Sequence, residues 1–171
     1  MVKVLVIMGS DSDLPVLSGG LEILKEFGVD TEVHFSSAHR SPERTVELIK
    51  GFEANGGKVI LAAAGMSAHL AGVIAGHTVL PVIGVPLSSP DFGSLDSLLS
   101  MVEMPPGIPV GVTGKGKSGA KNAALLTVEI LALSDNTLRD KLMAYREKMK
   151  KDLRERDDEL QSQGWENYKK K

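Results

Sequence analysis

The sequence has no cysteine, which removes a disulfide framework, a thiolate nucleophile and any Cys-based metal site. It also lacks a basic excess. Lys and Arg number 20 against 22 Asp and Glu, a formal net charge of −2, so no footprint exists for neutralising nucleic-acid phosphates. No apolar run approaches the ~20 residues that cross a bilayer. The opening run Met1–Ile7 is too short, and too soon followed by Gly9 and Asp11, to read as a signal peptide. These absences point to a cytoplasmic, non-redox protein without metal or cofactor, one that binds neither nucleic acid nor membrane.

What is present is ordinary globular composition. The 171 residues are 42% hydrophobic and 25% charged, enough for one domain with a real core. The reading is a single domain over 1–171, with a core at about 1–133 and a helical arm at about 134–171. Short apolar runs at Val4–Met8, Glu32–Phe35, Val59–Ala64, Val82–Val85 and Ile108–Val112 read as strands. The first, third and fourth are continuously apolar, as parallel strands covered on both faces are. Helical patterns fall at Leu14–Phe27, Pro42–Asn55, Ala68–Gly76 and Ser118–Leu133, with glycine stops at Gly28 and Gly56-Gly57.

Strands alternating with helices predict right-handed crossovers and a doubly wound parallel sheet. Such sheets bind ligands outside the strand carboxyl ends, at the switch in strand order. The tail differs. Leu138, Leu142, Tyr145, Met149, Leu153 and Leu160 make a narrow apolar stripe on a very charged helix from about Asn136 to Gln161. Its length, on the order of 35 Å at 1.5 Å per residue, predicts an arm that packs on a neighbouring subunit.

The strand-end turns carry the candidate chemistry. In Met8-Gly9-Ser10-Asp11-Ser12-Asp13, Gly9 suits a tight turn, and Ser10-x-x-Asp13 has the spacing of a capping box. Taken alone, capping is the better reading, although three hydroxyl or carboxylate residues beyond a buried strand exceed what one cap requires. In Ser36-Ser37-Ala38-His39-Arg40-Ser41-Pro42, Ser41 fits as N-cap and Pro42 as first helical residue. That leaves Ser37, His39 and Arg40 at the sheet mouth. Arg offers a planar fork for phosphate; His gives and takes protons near neutral pH. In Ala64-Gly65-Met66-Ser67-Ala68-His69-Leu70, small residues let backbone amides approach a ligand. His69 either touches the ligand of His39 or sits inside a helix's first turn. His34 and His77 read as strand and helix-end residues without a role.

One segment is a decoy. Gly111-Val112-Thr113-Gly114-Lys115-Gly116-Lys117-Ser118 matches the P-loop pattern, and Gly114-x-Gly116-x-x-Gly119 matches the dinucleotide fingerprint. Each needs a following strand ending in an acidic residue, and only helices follow. The segment reads as a flexible Gly/Lys connection, and a P-loop-like nucleotide-binding module stands as the distant alternative.

Taken together, the turns at Met8–Asp13 and Ser37–Pro42 resemble the N5-carboxyaminoimidazole ribonucleotide mutase family of purine biosynthesis. The likeness continues through Ala68–Leu70, Leu80–Pro86, Leu95–Ser100, Met104–Pro109 and Lys121–Leu126. The resemblance implies a flavodoxin-like three-layer α/β/α sandwich assembled as a homo-octamer, with sites at subunit junctions. It implies a carboxylate moved from the exocyclic nitrogen of an aminoimidazole ribotide to ring carbon C4, without cofactor or metal. Ser10, Asp13 and Arg40 would bind the ribotide, and Ser37 with Gly65, Ser67, Ala68, His69 and Leu70 would line the pocket. His39 would be the catalytic acid and base. One departure stands out: the mutase branch usually has a second glycine where this chain has Met66. The related branch, an aminoimidazole ribonucleotide carboxylase using free carbon dioxide, usually has a bulkier polar residue there and is the near alternative. His69 and the segment Leu80–Pro86 side with the mutase.

Overall fold

A computed structural model describes residues 3–89 and 91–169; the first two residues of the apolar opening run lie outside them. The chain divides into two compact units, Met1–Leu131 and Ala132–Lys171.

The first unit is built on a five-stranded parallel sheet: β1 (Val4–Met8), β2 (Thr31–Phe35), β3 (Val59–Ala64), β4 (Val82–Pro86) and β5 (Gly111–Val112). The spatial order is β2-β1-β3-β4-β5, so the chain reverses direction between β1 and β3. All residues of β1, β3 and β4 are buried, whereas none of β2 at the sheet edge is. That contrast matches the continuous apolar runs of the three inner strands. Helices α1 (Leu14–Phe27), α2 (Pro42–Ala54), α3 (Leu70–Ala75), α4 (Leu95–Val102) and α5 (Gly116–Ala132) connect and follow the strands.

Strand alternation sorts the helices into two layers. Leu5, Ile7, Ile60 and Ala62 point to one face, where they pack with Leu48 and Ile49 of α2, Leu70 and Ile74 of α3, and Met101 of α4. Helices α1 and α5 cross so closely that a Cβ on Gly20 would stand 2.6 Å from the carbonyl oxygen of Ala120. A side chain at Gly20 would force the helices apart. The result is the flavodoxin-like α/β sandwich expected, a central parallel sheet flanked by helices.

Three elements depart from expectation. Strand β5 is two residues long, because Pro109 offers no amide to the ladder and a turn, Ile108 N–H to the Pro105 carbonyl, precedes it. Helix α5 begins at Gly116, so the Gly/Lys segment is not a loose connection. Gly111 and Val112 lie in β5, and a Cβ on Gly119 would strike the Gly114 carbonyl oxygen at 2.2 Å. These glycines serve the chain's own close approach, and Lys115 Nζ bonds the Gly93 carbonyl at 2.9 Å. Helix α4 was not anticipated. It buries Ser97 and Met101 while Leu95, Leu99 and Val102 stay exposed. Ser97 is accommodated inside because its hydroxyl donates to the Leu87 carbonyl at 2.7 Å.

The second unit is dominated by α6 (Asn136–Gln163). Its N-cap is Asp135, whose carboxylate accepts from the Thr137 and Leu138 amides at 3.1 and 3.2 Å. Leu138 and Leu142 are buried, whereas Met149 and Leu153 on the same stripe are exposed. No helix among the described residues is long and apolar enough to cross a membrane.

Candidate active site

The carboxyl ends of β1, β2 and β3 bring the three polar turns to one edge of the sheet. Pairing continues past the strands: the Ser36 amide bonds the Met8 carbonyl at 2.8 Å, and the Gly9 amide bonds the Ala63 carbonyl at 3.2 Å. The turns therefore start in register, on both sides of the β1/β3 switch.

In the β1 turn the capping reading of Ser10 and Asp13 holds. A short 3-10 segment, Asp11–Asp13, is closed by a capping box. The Ser10 amide donates to Asp13 Oδ2 at 2.9 Å, and Ser12 N–H donates to Asp11 Oδ1 at 3.0 Å. Gly9 does not take a positive φ. A Cβ there would meet only Asp13 Oδ2, at 3.7 Å, so the tight turn does not itself demand glycine.

Burial raises the pKa of Asp13 above the usual carboxylate value, and neighbouring Asp11 adds to the rise; the Ser10 amide and Arg40 act against it. A carboxyl whose folded pKa is raised contributes stability at low pH and loses it as pH rises through that pKa. Asp13→Asn keeps an acceptor for the Ser10 amide and removes the charge. It is therefore expected to melt at or above the wild-type temperature at neutral pH. The gap should close as pH falls through the Asp13 pKa, as read from thermal melts across the acid range.

The β2 turn folds on itself. Ser41 stands at the N-cap of α2 with Pro42 following, as expected, yet its hydroxyl does not cap that helix. Instead it accepts from the Ser37 amide at 3.1 Å, while the Ser41 amide bonds the Ser37 carbonyl at 2.9 Å. Beneath it, Ser36 and Thr45 share a buried hydroxyl bond of 2.8 Å. Ser37 Oγ accepts from the Arg40 amide at 3.2 Å. The turn so fixed lifts His39 and Arg40 to an exposed tip.

From that tip the two side chains reach in different directions. Arg40 Nη2 donates to the Gly9 carbonyl at 2.8 Å, tying the β2 turn to the β1 turn. His39 Nε2 meets His69 Nδ1 of the β3–α3 loop at 2.7 Å, with the rings nearly perpendicular, 86° between planes. His69 is the N-cap residue of α3 by position, just ahead of that helix's first turn, and its ring pairs with His39. At that distance one nitrogen donates and the other accepts. The pair accordingly shares a single proton between the facing nitrogens.

A cleft of about 580 Å³ opens beside these turns, lined by Gly9–Asp11, Phe35–Ser37, Arg40 and Ser41. It holds Ser10, Ser37 and Arg40 of the expected set; His39 and His69 pair at the end of the same β2 turn. Gly65 packs behind β4, where a Cβ would meet the Ser88 and Leu87 carbonyl oxygens at 3.5 and 3.6 Å. Ala68 and Leu70 are buried in the core, and Ser67 is exposed. Sequence reasoning missed Phe35, an exposed ring at the cleft. The available signal was an aromatic at the carboxyl end of a strand beside a serine turn.

The other two histidines sit outside this group. His34 Nε2 pairs with Glu32 Oε1 at 2.5 Å on β2, and His77 Nδ1 bonds the Val73 carbonyl at 2.8 Å near the end of α3. Among the described residues, no three His, Cys, Asp or Glu side chains cluster so as to hold a metal ion. The P-loop pattern runs from β5, at the other edge of the sheet, into α5, and among the described residues no strand follows it.

A family model described as AIR carboxylase matches residues 3–152. The chain is 51% identical over 168 residues to the N5-carboxyaminoimidazole ribonucleotide mutase of Pyrococcus abyssi, covering 98% of this chain and 95% of that one. It is 45% identical to the protein of the same name from Thermotoga maritima, over 98% and 97% of the two chains. A crystal structure of Treponema denticola PurE superposes with a TM-score of 0.84 at 32% identity, covering 92% of this chain and 97% of that one.

Proposed function

Because the chain belongs to the AIR carboxylase family, whose members perform carboxylase or mutase chemistry on an aminoimidazole ribotide, we propose that it converts N5-carboxyaminoimidazole ribonucleotide to the C4-carboxylated isomer. The observation that carries this reading is the His39–His69 pair, 2.7 Å apart beside the Arg40–Gly9 tie.

The migration is a proton problem. Breaking the N5–carboxyl bond releases carbon dioxide and needs a proton delivered to N5. Forming the C4–carboxyl bond ends with a proton removed from C4, so the two steps cancel. One imidazole does both in turn. His69 engages Nε2 of His39 and leaves Nδ1 as the nitrogen to exchange a proton with substrate. Because His39 and His69 share one proton, the charge that His39 gains or loses in each step is spread over the pair. Nothing in this scheme calls for a cofactor.

Ser10, Asp13, Ser37 and Arg40 are the ribotide-binding set. Arg40 brings the phosphate-matching fork, and the Asp13 carboxylate suits sugar hydroxyls. Phe35 adds an apolar wall. The Gly65–Leu70 segment borders the reacting ring from the β3 side. Its residue Met66 is the point favouring the direct carboxylase, and His69 with the mutase relatives weighs against that.

The whole chain is proposed to work as one domain with a helical arm, in the cytoplasm, as a homo-octamer with sites at subunit junctions. Helix α4 supports assembly: Leu95, Leu99 and Val102 face water while a serine faces the core, an inversion that association of copies would correct. The exposed Met149 and Leu153 of α6 suit the same use.

The test offers the two ribotides separately. With the N5-carboxylated substrate, and neither ATP nor added bicarbonate, efficient formation of the C4 isomer is expected. Turnover confined to aminoimidazole ribonucleotide plus bicarbonate would reassign the chain to the direct carboxylase.

A further inference from the structure

Helix α2 buries Leu48, Ile49 and Phe52 and, with them, Thr45, which is wholly shut off from water. Valine has the same shape and would bury no polar atom there. A hydroxyl taken out of water costs stability unless it is bonded, so the oxygen of Thr45 needs an account that packing does not supply. Thr127, equally buried on α5, has a local one: it donates to the Ala123 carbonyl one turn back, at 2.8 Å. Thr45 makes the corresponding bond to the Ser41 carbonyl at 3.3 Å. It then reaches off its own helix to Ser36 Oγ, at 2.8 Å.

Each hydroxyl has one proton to give, and that sets the direction of the bonds. With the Thr45 proton on the Ser41 carbonyl, its oxygen accepts from Ser36. Ser41 Oγ donates to the Ser37 carbonyl at 3.3 Å and accepts from the Ser37 amide at 3.1 Å. Ser36 is anchored to the sheet in turn, its amide on the Met8 carbonyl at 2.8 Å. From beneath, the hydroxyl of Thr45 therefore holds both ends of the Ser36–Ser41 turn. His39 and Arg40 ride on the middle of that turn and are exposed, so packing does not locate them. Arg40 has its own tether to the Gly9 carbonyl. His39 meets His69 at 2.7 Å, a contact that lasts while the turn presents the ring at that distance.

We propose that Thr45 is a positioning residue: its buried hydroxyl clamps the two ends of the Ser36–Ser41 turn and so holds His39 at proton-sharing distance from His69. The inference rests on the proton-transfer role proposed above for His39. A reacting group displaced by about 1 Å loses on the order of 10²-fold in rate, and a turn held at both ends moves less at its tip than one held at a single end. The clamp bears on His39 more than on Arg40, which keeps its tie to Gly9. Its loss accordingly falls on kcat rather than on substrate affinity.

Thr45→Val keeps the shape of the side chain and deletes the oxygen. It is expected to lower kcat about 10- to 100-fold, with Kd for the N5-carboxylated ribotide within a few-fold of wild type by calorimetric titration. Thr45→Ser returns the hydroxyl and should recover most of kcat. A second readout needs no turnover: with 15N-labelled histidine, long-range proton–nitrogen spectra show which ring nitrogens carry protons. Wild type is expected to show one protonated and one bare nitrogen at the His39–His69 contact. In Thr45→Val those signals should move toward the averaged tautomers of a free imidazole. Ser36→Ala opens the clamp from its other end, leaves Thr45 on the Ser41 carbonyl, and should show the same two changes even if Thr45→Val does not fold. Wild-type kcat in a folded Thr45→Val, or lost kcat with the histidine signals unmoved, would overturn the proposal, as would a Thr45→Ser no better than Thr45→Val. Failure of the migration reading is separate: wild type would then form no C4 isomer, while the histidine signals would still move in Thr45→Val.

Discussion

His39→Asn is expected to lose about 10²–10⁴-fold in kcat, the range that a positioned acid–base group contributes, while substrate still binds within a few-fold of wild type. Asparagine keeps a polar group of similar reach at the tip of the Ser37–Ser41 turn but cannot exchange a proton. The turn itself does not depend on the imidazole: it is held by the Ser37–Ser41 backbone and hydroxyl bonds and by the buried Ser36–Thr45 pair. The melting temperature should therefore hardly move. Steady-state kinetics give kcat, and calorimetric titration with the N5-carboxylated ribotide gives Kd. Wild-type turnover in this variant would remove His39 from the chemistry and leave it as the partner of His69 alone.

Arg40→Met is expected to cut kcat/KM by about 10- to 100-fold, the worth of a hydrogen bond to a charged group at ~1.5–3 kcal/mol. Methionine keeps most of the stem and deletes the guanidinium, so the loss reads phosphate binding and the tie to the Gly9 carbonyl together. Arg40→Lys separates the two: it restores the charge without the planar fork and should recover only part of the loss. Raised salt should narrow the gap between wild type and Arg40→Met, because the missing interaction is screened at an exposed position. The variant's defect is expected in KM. A defect confined to kcat, with Kd unchanged, would place Arg40 with the proton chemistry instead.

The contrast between these residues shows how far pattern reading reached. Strands β1 and β3 and helix α1 were legible to the residue, because both faces of the strands are covered and α1 ends at a left-handed Gly28. Helix α4 was not. Leu95, Leu99 and Val102 face outward while Ser97 shares the core side with Met101, so a rule that apolar faces point inward misreads it. Ile108–Val112 was read as a full strand because its residues are apolar, and Pro109 with the preceding turn cut it to two. At the site, spacing revealed the capping box of Ser10 and Asp13, whose partners are three residues apart. It could not reveal the bond between His39 and His69, thirty residues apart in the chain.

The sequence by itself determined the alternation of strand and helix, and hence the parallel sheet, the edge where polar turns collect and the residues those turns contain. Local periodicity and turn chemistry suffice for that, since their partners are near neighbours. Only the tertiary structure decided how Gly9–Asp13 and Ser37–Arg40 meet: Arg40 on the Gly9 carbonyl, and His39 on His69. Strand order puts β1 between β2 and β3, and it is that order, set by packing of buried faces across the whole sheet, that turns three separate loops into one site.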